Sequence, residues 1–176
     1  MKIGILSDSH HQTALHSETI DHLIAQGAEY LLHAGDILTE THLELLEKAD
    51  RPYAVVFGNN DMHLGPLAAE YPIYKEPHYF NIGALRVKMM HMPYYMTPDT
   101  DIVISGHTHS FETRTINGTL FLNPGEVCAR DKNLSEHAII EIIDNEWIVR
   151  YFFKKPGTGQ WQKRIYRSNR IEIPHS

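Results

Sequence analysis

Residues 3–10 read Ile3-Gly4-Ile5-Leu6-Ser7-Asp8-Ser9-His10, a brief apolar run that stops on polar residues. Four apolar residues bounded by a Ser-Asp-Ser loop predict a buried strand whose end presents a carboxylate and an imidazole. The pattern recurs along the chain. Tyr30-Leu31-Leu32-His33-Ala34 runs into Gly35-Asp36, and Tyr53-Ala54-Val55-Val56-Phe57 runs into Gly58-Asn59-Asn60-Asp61. Leu85 to Met90 is followed by His91, and Ile102-Val103-Ile104 leads to Gly106-His107-Thr108-His109. Helices are expected between the first strands. Leu15, Ile20, Leu23 and Ile24 share one face at helical spacing, with Gly27 placed as a C-terminal cap. Thr39 or Thr41 would cap a second helix carrying Leu43, Leu45 and Leu46. Strand, helix, strand alternation predicts parallel pairing through right-handed crossovers.

Beyond residue 72 the rhythm changes to strands joined by tight turns. Asn117-Gly118 separates Phe111–Ile116 from Thr119–Leu122, a strong hairpin signal because both turn positions favour residues that tolerate positive φ. Asp144-Asn145 is expected to turn a second hairpin between Ala138–Ile143 and Trp147–Phe153. No repeat or interdomain linker interrupts the chain, so residues 1–176 are expected to form one domain. Residues 156–176 then form a C-terminal extension or edge strand pair, with strand character from Trp161 to Ile173.

The 176 residues are 42% hydrophobic and 22% charged, the balance of an ordinary globular domain. A chain of this length buries roughly 70% of the surface its unfolded form exposes. The lone cysteine, Cys128, excludes an internal disulfide and a Cys-x-x-Cys zinc site, so any metal is expected to use nitrogen and oxygen ligands. No run approaches the roughly 18 apolar residues of a membrane helix, and the N-terminus lacks a signal-peptide core. A cytoplasmic location without membrane contact is expected. The net charge of -6 opposes long-range attraction to nucleic acid. Seven of the sixteen Lys and Arg nonetheless lie between Arg150 and Arg170, so nucleic acid is a possible but unfavoured partner.

The residues at the strand ends are metal ligands by type. Asp8 and His10, one residue apart in an extended loop, could turn toward one ion; in isolation Asp8 would sooner cap the next helix. Asp36 follows a glycine and offers two oxygens, the natural bridge between two cations. The Asn59 amide is an oxygen ligand that adds no charge. His91 alone would be a hydrogen-bonded histidine at the core margin. Gly106-His107-Thr108-His109 is the most specific element, since two imidazoles one residue apart can serve two neighbouring ions, with Gly106 permitting close backbone approach. The remaining histidines are assigned ordinary surface or core roles.

Taken in order, these clusters follow the pattern D-x-H, G-D, G-N-H-D/E, a lone H and G-H-x-H. The chain thereby resembles the calcineurin-like metallophosphoesterase superfamily, with residues 8 to 109 covering the pattern. Its small size and its Asn123-Pro124-Gly125 turn make it most similar to the small bacterial and archaeal phosphodiesterases of that superfamily. The resemblance implies an α/β fold, a four-layer α-β-β-α sandwich of two mixed sheets. It implies two divalent metal ions, the first held by Asp8, His10, Asp36 and His109, the second by Asp36, Asn59, His91 and His107. Mn2+ is the first expectation, and Ni2+, Fe2+, Co2+ or Zn2+ suit the same ligands.

The activity so implied is hydrolysis of small or activated phosphodiesters, nucleotides among them, by a hydroxide shared between the ions. Asn59, Asp36, His10 and Asn60 form the expected catalytic set. Asn60 departs from the family pattern, which commonly has histidine there, and an amide cannot donate a proton to the leaving group at neutral pH. The proton must then come from water, from a nearby histidine such as His11 or His63, or be dispensed with, and a preference for good leaving groups is expected. Asp61 has two readings, support of the ligands through hydrogen bonds and simple turn formation. Met92-Pro93 after His91 would stiffen the rim of the site. Phosphomonoesterase and nuclease activities use the same ions, and a scaffold role like that of the retromer subunit of this fold is the alternative from another class. Trp147–Phe153, read as an exposed strand, could pair across a homodimer.

Overall fold

Strand β1 (Lys2–Leu6) sends Ile3 and Ile5 into one apolar cluster and Leu6 into another, so it has core on both faces. That is the burial expected of a central strand in a sheet covered on both faces. Residues 1–170 are described by the computed structural model. After β1 come α1 (Thr13–Ala25), β2 (Tyr30–His33), α2 (Glu40–Lys48), β3 (Tyr53–Val56), a 3-10 helix (Met62–Ala69) and β4 (Ile73–Tyr74). The second half contains β5 (His78–Ile82), β6 (Leu85–Met89), β7 (Ile102–Ile104), β8 (Phe111–Ile116), β9 (Thr119–Pro124), β10 (Ser135–Ile143), β11 (Glu146–Lys154) and β12 (Gln162–Asn169).

Two mixed sheets result, as expected. The first has the order β12-β11-β10-β1-β2-β3-β4, with β1 to β4 parallel and the late hairpins added antiparallel beside β1. The second has the order β5-β6-β7-β9-β8. Ile5, Leu32, Val56, Val87, Met89, Ile104, Leu122 and Trp147 fill the space between them. The helices α1 and α2 and the 3-10 helix cover the other face of the first sheet, burying Leu23, Leu43, Leu46 and Leu64. Gly4 lets α1 sit close, because a Cβ there would lie 3.1 Å from Leu23.

The fourth layer differs from the expectation. Among the described residues no helix covers the outer face of the second sheet; Met90 and Met96, from the segment between β6 and β7, pack with Val103 and Phe121 instead. Pro93 and Pro98 lack backbone donors and disfavour a helix in so short a connection. Lys88, fully buried on β6, anchors the segment by donating to the Thr97 carbonyl at 2.9 Å and to Asp99 Oδ1 at 2.5 Å.

Both predicted hairpins form on their predicted turns, with φ of 50° and 83° at Asn117-Gly118 and 50° and 62° at Asp144-Asn145. Thr39 caps α2, accepting from His42 N at 3.3 Å. Asp8 caps nothing: the residue before α1 is Gln12, which makes no side-chain cap. The strand proposed for dimer pairing requires correction. β11 lies between β10 and β12, so its backbone is already paired on both sides, and β12 is the edge. The part of the predicted tail strand from 171 to 173 lies outside the described residues, as does His175. Much of the C-terminal basic charge is neutralised within the fold, Arg150 by Glu141, Lys154 by Glu18, Arg167 by Glu146 and Arg170 by Asp101.

Candidate metal centre

The loops that follow β1, β2, β3, β6 and β7 converge at one end of the two sheets. Asp8, His10, Asp36, His107 and His109 all adopt positive φ, between 46° and 67°. Non-glycine residues rarely hold that conformation, and such strain persists where surrounding contacts over-determine it. Glycines make the convergence possible. A Cβ on Gly58 would lie 2.1 Å from Asp36 Oδ1, and one on Gly106 would lie 2.2 Å from Ser7 Oγ.

All seven expected ligands are brought together. His109 Nε2 lies 3.2 Å from Asp8 Oδ1 and 3.4 Å from His10 Nε2. Asn59 Oδ1 lies 3.0 Å from His91 Nε2 and 3.2 Å from His107 Nδ1. Between the two groups sits Asp36, whose Oδ2 is 3.7 Å from His10 Nε2 and 3.5 Å from His91 Nε2. One carboxylate oxygen therefore faces both sets. Asn60 donates to Asp36 twice, from its backbone N at 3.0 Å and from Nδ2 at 2.7 Å, which fixes the rotation of that carboxylate.

The donor set fits divalent cations. Asp8 Oδ1 is buried and makes no well-formed hydrogen bond, with only the His109 imidazole near it at 3.2 Å, a costly state unless something positive faces it. His91 Nδ1 is 2.8 Å from the Ala34 carbonyl, which can only accept, so the proton sits on Nδ1 and the Nε2 lone pair points into the site. Burial lowers the pKa of His109, but the neighbouring Asp8, Cys128 and Glu126 outweigh that and raise it to about 11. Carboxylates that hold a proton so firmly define a place for positive charge, and a metal ion there competes with that proton.

Several residues that hold the site were not singled out as site residues by the sequence. Fully buried Glu126 accepts from His109 Nδ1 at 2.6 Å and, through its other oxygen, from Asp131 N at 2.7 Å. Burial raises the Glu126 pKa, but these donors overcome it and hold the carboxyl down at about 2. Its sequence signal is its place directly after Asn123-Pro124-Gly125, where the Asn123 amide clamps the His107 loop by donating to the Gly106 carbonyl at 2.8 Å. Arg130 Nη2 reaches 3.1 Å from His109 Nε2. Glu76 accepts from His91 N at 2.5 Å and Met92 N at 2.8 Å. No spacing rule links Glu76 or Arg130 to the ligands, because tertiary contact alone joins them.

Asp61 fulfils both of its readings. Its buried carboxylate accepts from Gly58 N at 2.7 Å within its own turn, and from Ile37 N and Leu38 N in the Asp36 loop. Beneath the site, Ser9 Oγ lies 2.7 Å from His16 Nδ1 and 2.8 Å from His33 Nε2, while His42 Nδ1 bonds the Ile37 carbonyl at 2.6 Å. These core histidines join the Asp8 and Asp36 loops from below. Burial, then the neighbouring His42, lowers the His16 pKa to about 3. An unfolded imidazole titrates near 6.5. Between these values the unfolded chain binds a proton that the native protein does not, so stability is full above pH 6.5 and falls as pH drops toward 3. At pH 4 the loss from His16 alone is about 3 kcal/mol. Urea unfolding at pH 7 and pH 4 reads it, and His16→Gln should shrink the difference; an unchanged difference contradicts the account.

Comparison with known proteins agrees with this geometry. A family model described as the calcineurin-like phosphoesterase superfamily domain matches residues 1–145. A "Probable metallophosphoesterase" of Methanothermobacter thermautotrophicus is 32% identical over 140 residues, covering 71% of this chain and 76% of that protein. A phosphodiesterase of Methanocaldococcus jannaschii is 25% identical over 160 residues, 83% of this chain and 94% of its own. Among solved structures, a Vps29 variant from Entamoeba histolytica superposes with a TM-score of 0.75 at 23% identity, covering 96% of this chain and all of that one. An archaeal phosphodiesterase gives 0.71 at 21% identity, covering 94% and 100%. At those identities the superpositions speak for the fold; the match over residues 1–145 and the archaeal relative speak for ancestry. The chain belongs to the calcineurin-like phosphoesterase superfamily and is a metal-dependent phosphoesterase.

Proposed function

We propose that this protein is a phosphodiesterase that works with two divalent cations on small or activated diesters. The observation that carries the reading is Asp36 Oδ2, placed 3.7 Å from His10 Nε2 and 3.5 Å from His91 Nε2, where one oxygen can serve both sites. Asp8, His10, Asp36 and His109 would hold one cation, and Asp36, Asn59, His91 and His107 the other. Bound there, the cations would acidify a water and polarise the phosphoryl group. Mn2+ suits this mixed donor set, as do Ni2+, Fe2+, Co2+ and Zn2+.

The remaining work falls to the side chains. Asn59 directs Oδ1 at the two imidazoles, which leaves its Nδ2 to donate to a phosphoryl oxygen where negative charge accumulates. Asn60 spends its amide on Asp36 and orients that carboxylate. It supplies no proton to the departing oxygen. His63, the nearest unassigned imidazole in sequence, bonds the Leu38 carbonyl at 2.8 Å instead. The leaving group therefore departs largely as an anion, and esters of acidic alcohols and phenols should react fastest.

A series of aryl methyl phosphates, assayed with each metal, tests this reading. The expected result is a fall in kcat/KM as the phenol pKa rises, together with a metal-dependent rise in Tm. A flat dependence while chemistry limits turnover contradicts the absence of a proton donor. Faster turnover of monoesters would make the protein a phosphomonoesterase. No turnover and no Tm shift with any metal would favour the scaffold alternative.

A further inference from the structure

A cavity of about 400 Å³ opens beside Asn59, lined by Phe57, Met62, Gly65, Lys75 and Glu76 as well as Asn59 itself. Its volume lies within the roughly 300 to 1,000 Å³ of small-molecule sites. A larger hollow of about 470 Å³ near Leu134 and Lys155 touches none of the candidate ligands. The Asn59 cavity shares a wall with them, because the Asn59 side chain that borders it lies 3.0 Å from His91 Nε2.

Its chemistry is divided between an apolar surface and one cation. Met62 is 79% exposed, unusual for a large apolar side chain, and with half-buried Phe57 it offers a polarisable surface for a flat ring. Gly65 adds no side chain, and a Cβ there would meet nothing within 4 Å, so the backbone side of the cavity is open. Glu76 is occupied, with Oε2 accepting from His91 N and Met92 N. Lys75 is exposed and has no acidic partner among the described residues, unlike Lys48, Lys88, Lys132 and Lys154. An unpaired ammonium beside a ring-sized cavity, in a chain of net charge -6, is a local attraction for an anion.

We infer that this cavity binds the organic substituent retained on phosphorus, and that the substituent is a nucleoside carrying a second phosphate. The ring lies against Phe57 and Met62, and the second phosphate meets Lys75. This rests on the phosphodiesterase reading, in which in-line displacement sends the leaving group opposite the attacking water and a cavity beside the ligands holds what remains.

Three p-nitrophenyl phosphodiesters with one leaving group test it, the second substituent being methyl, thymidine, or thymidine bearing a 3′-phosphate. In the metal-loaded protein kcat/KM should rise along the series. Met62→Asp should lower the thymidine-to-methyl ratio about tenfold, the scale of a lost apolar contact. Lys75→Glu should lower the ratio of the phosphorylated to the plain thymidine ester about fivefold, an exposed charge pair being worth little more. Ratios unchanged in both variants would overturn the inference, whatever the absolute rates. If no ester is turned over, the phosphodiesterase reading fails. Calorimetric binding of thymidine 3′,5′-bisphosphate then decides on the cavity: weaker binding by both variants supports it, and equal binding overturns it.

Discussion

Asp36→Ala is expected to lower kcat/KM by about a thousandfold or more for any ester the protein hydrolyses, since metal-ion stabilisation of a transition state is worth several kcal/mol. Asp36 alone faces both ligand sets, at 3.7 Å from His10 Nε2 and 3.5 Å from His91 Nε2. On the two-cation proposal, losing it would weaken both sites together. The metal-dependent rise in Tm should disappear in the same variant. Metal-free stability should change by only about 1 kcal/mol, because Asn60, which donates to the carboxylate, is exposed and can turn to water. Thermal melts with and without Mn2+, alongside the kinetics, separate loss of metal from loss of fold. A variant that kept a tenth of the activity would remove Asp36 from the bridging position.

Gly58→Ala should be the most damaging single methyl in the protein, destabilising it by about 3 kcal/mol or more. The added Cβ would lie 2.1 Å from Asp36 Oδ1 and 2.2 Å from Asp36 N. Backbone cannot rotate away as the end of a flexible side chain can. Two loops would have to separate, and the Asp61 bonds that join them, 2.7 Å from Gly58 N and 2.8 Å from Leu38 N, would stretch with them. Activity should fall along with stability, since Asp36 is displaced. Gly159→Ala is the control: nothing lies within 4 Å of its Cβ position, and its effect should stay within about 0.5 kcal/mol. Urea unfolding of the two variants reads the contrast, and similar midpoints would show that the loops are not tightly joined at Gly58.

Periodicity and turn chemistry made much of the fold legible. Short apolar runs marked β1, β2, β3, β6 and β7, and Asn117-Gly118 and Asp144-Asn145 marked their hairpins because primed turns require residues that accept positive φ. The short β4 and the 3-10 helix carried no comparable signal. Ile73–Tyr74 is too brief for any period, and Pro66 breaks the helical pattern of Met62–Ala69. The place of β11 between β10 and β12 is not legible in this way, because alternation reveals which faces are buried and says nothing about which edges are paired.

For the site, the linear order of residues was enough to show the groups on offer: oxygen and nitrogen donors directly after strands, with an asparagine at position 60. Strand ends of neighbouring parallel strands lie side by side, so that order already implied convergence. Packing in three dimensions is what turns Asp36 Oδ2 toward both sets, brings the Asn60 amide onto Asp36, and adds Glu126, Glu76 and Arg130 to the surroundings. It alone showed the cavity between Asn59 and Lys75. Those relations depend on angstrom-scale distances between loops remote in sequence, set by close packing of the two sheets and by glycines at Gly58 and Gly106 that admit no side chain. A linear pattern can state which groups are available; their separation is a property of the packed core.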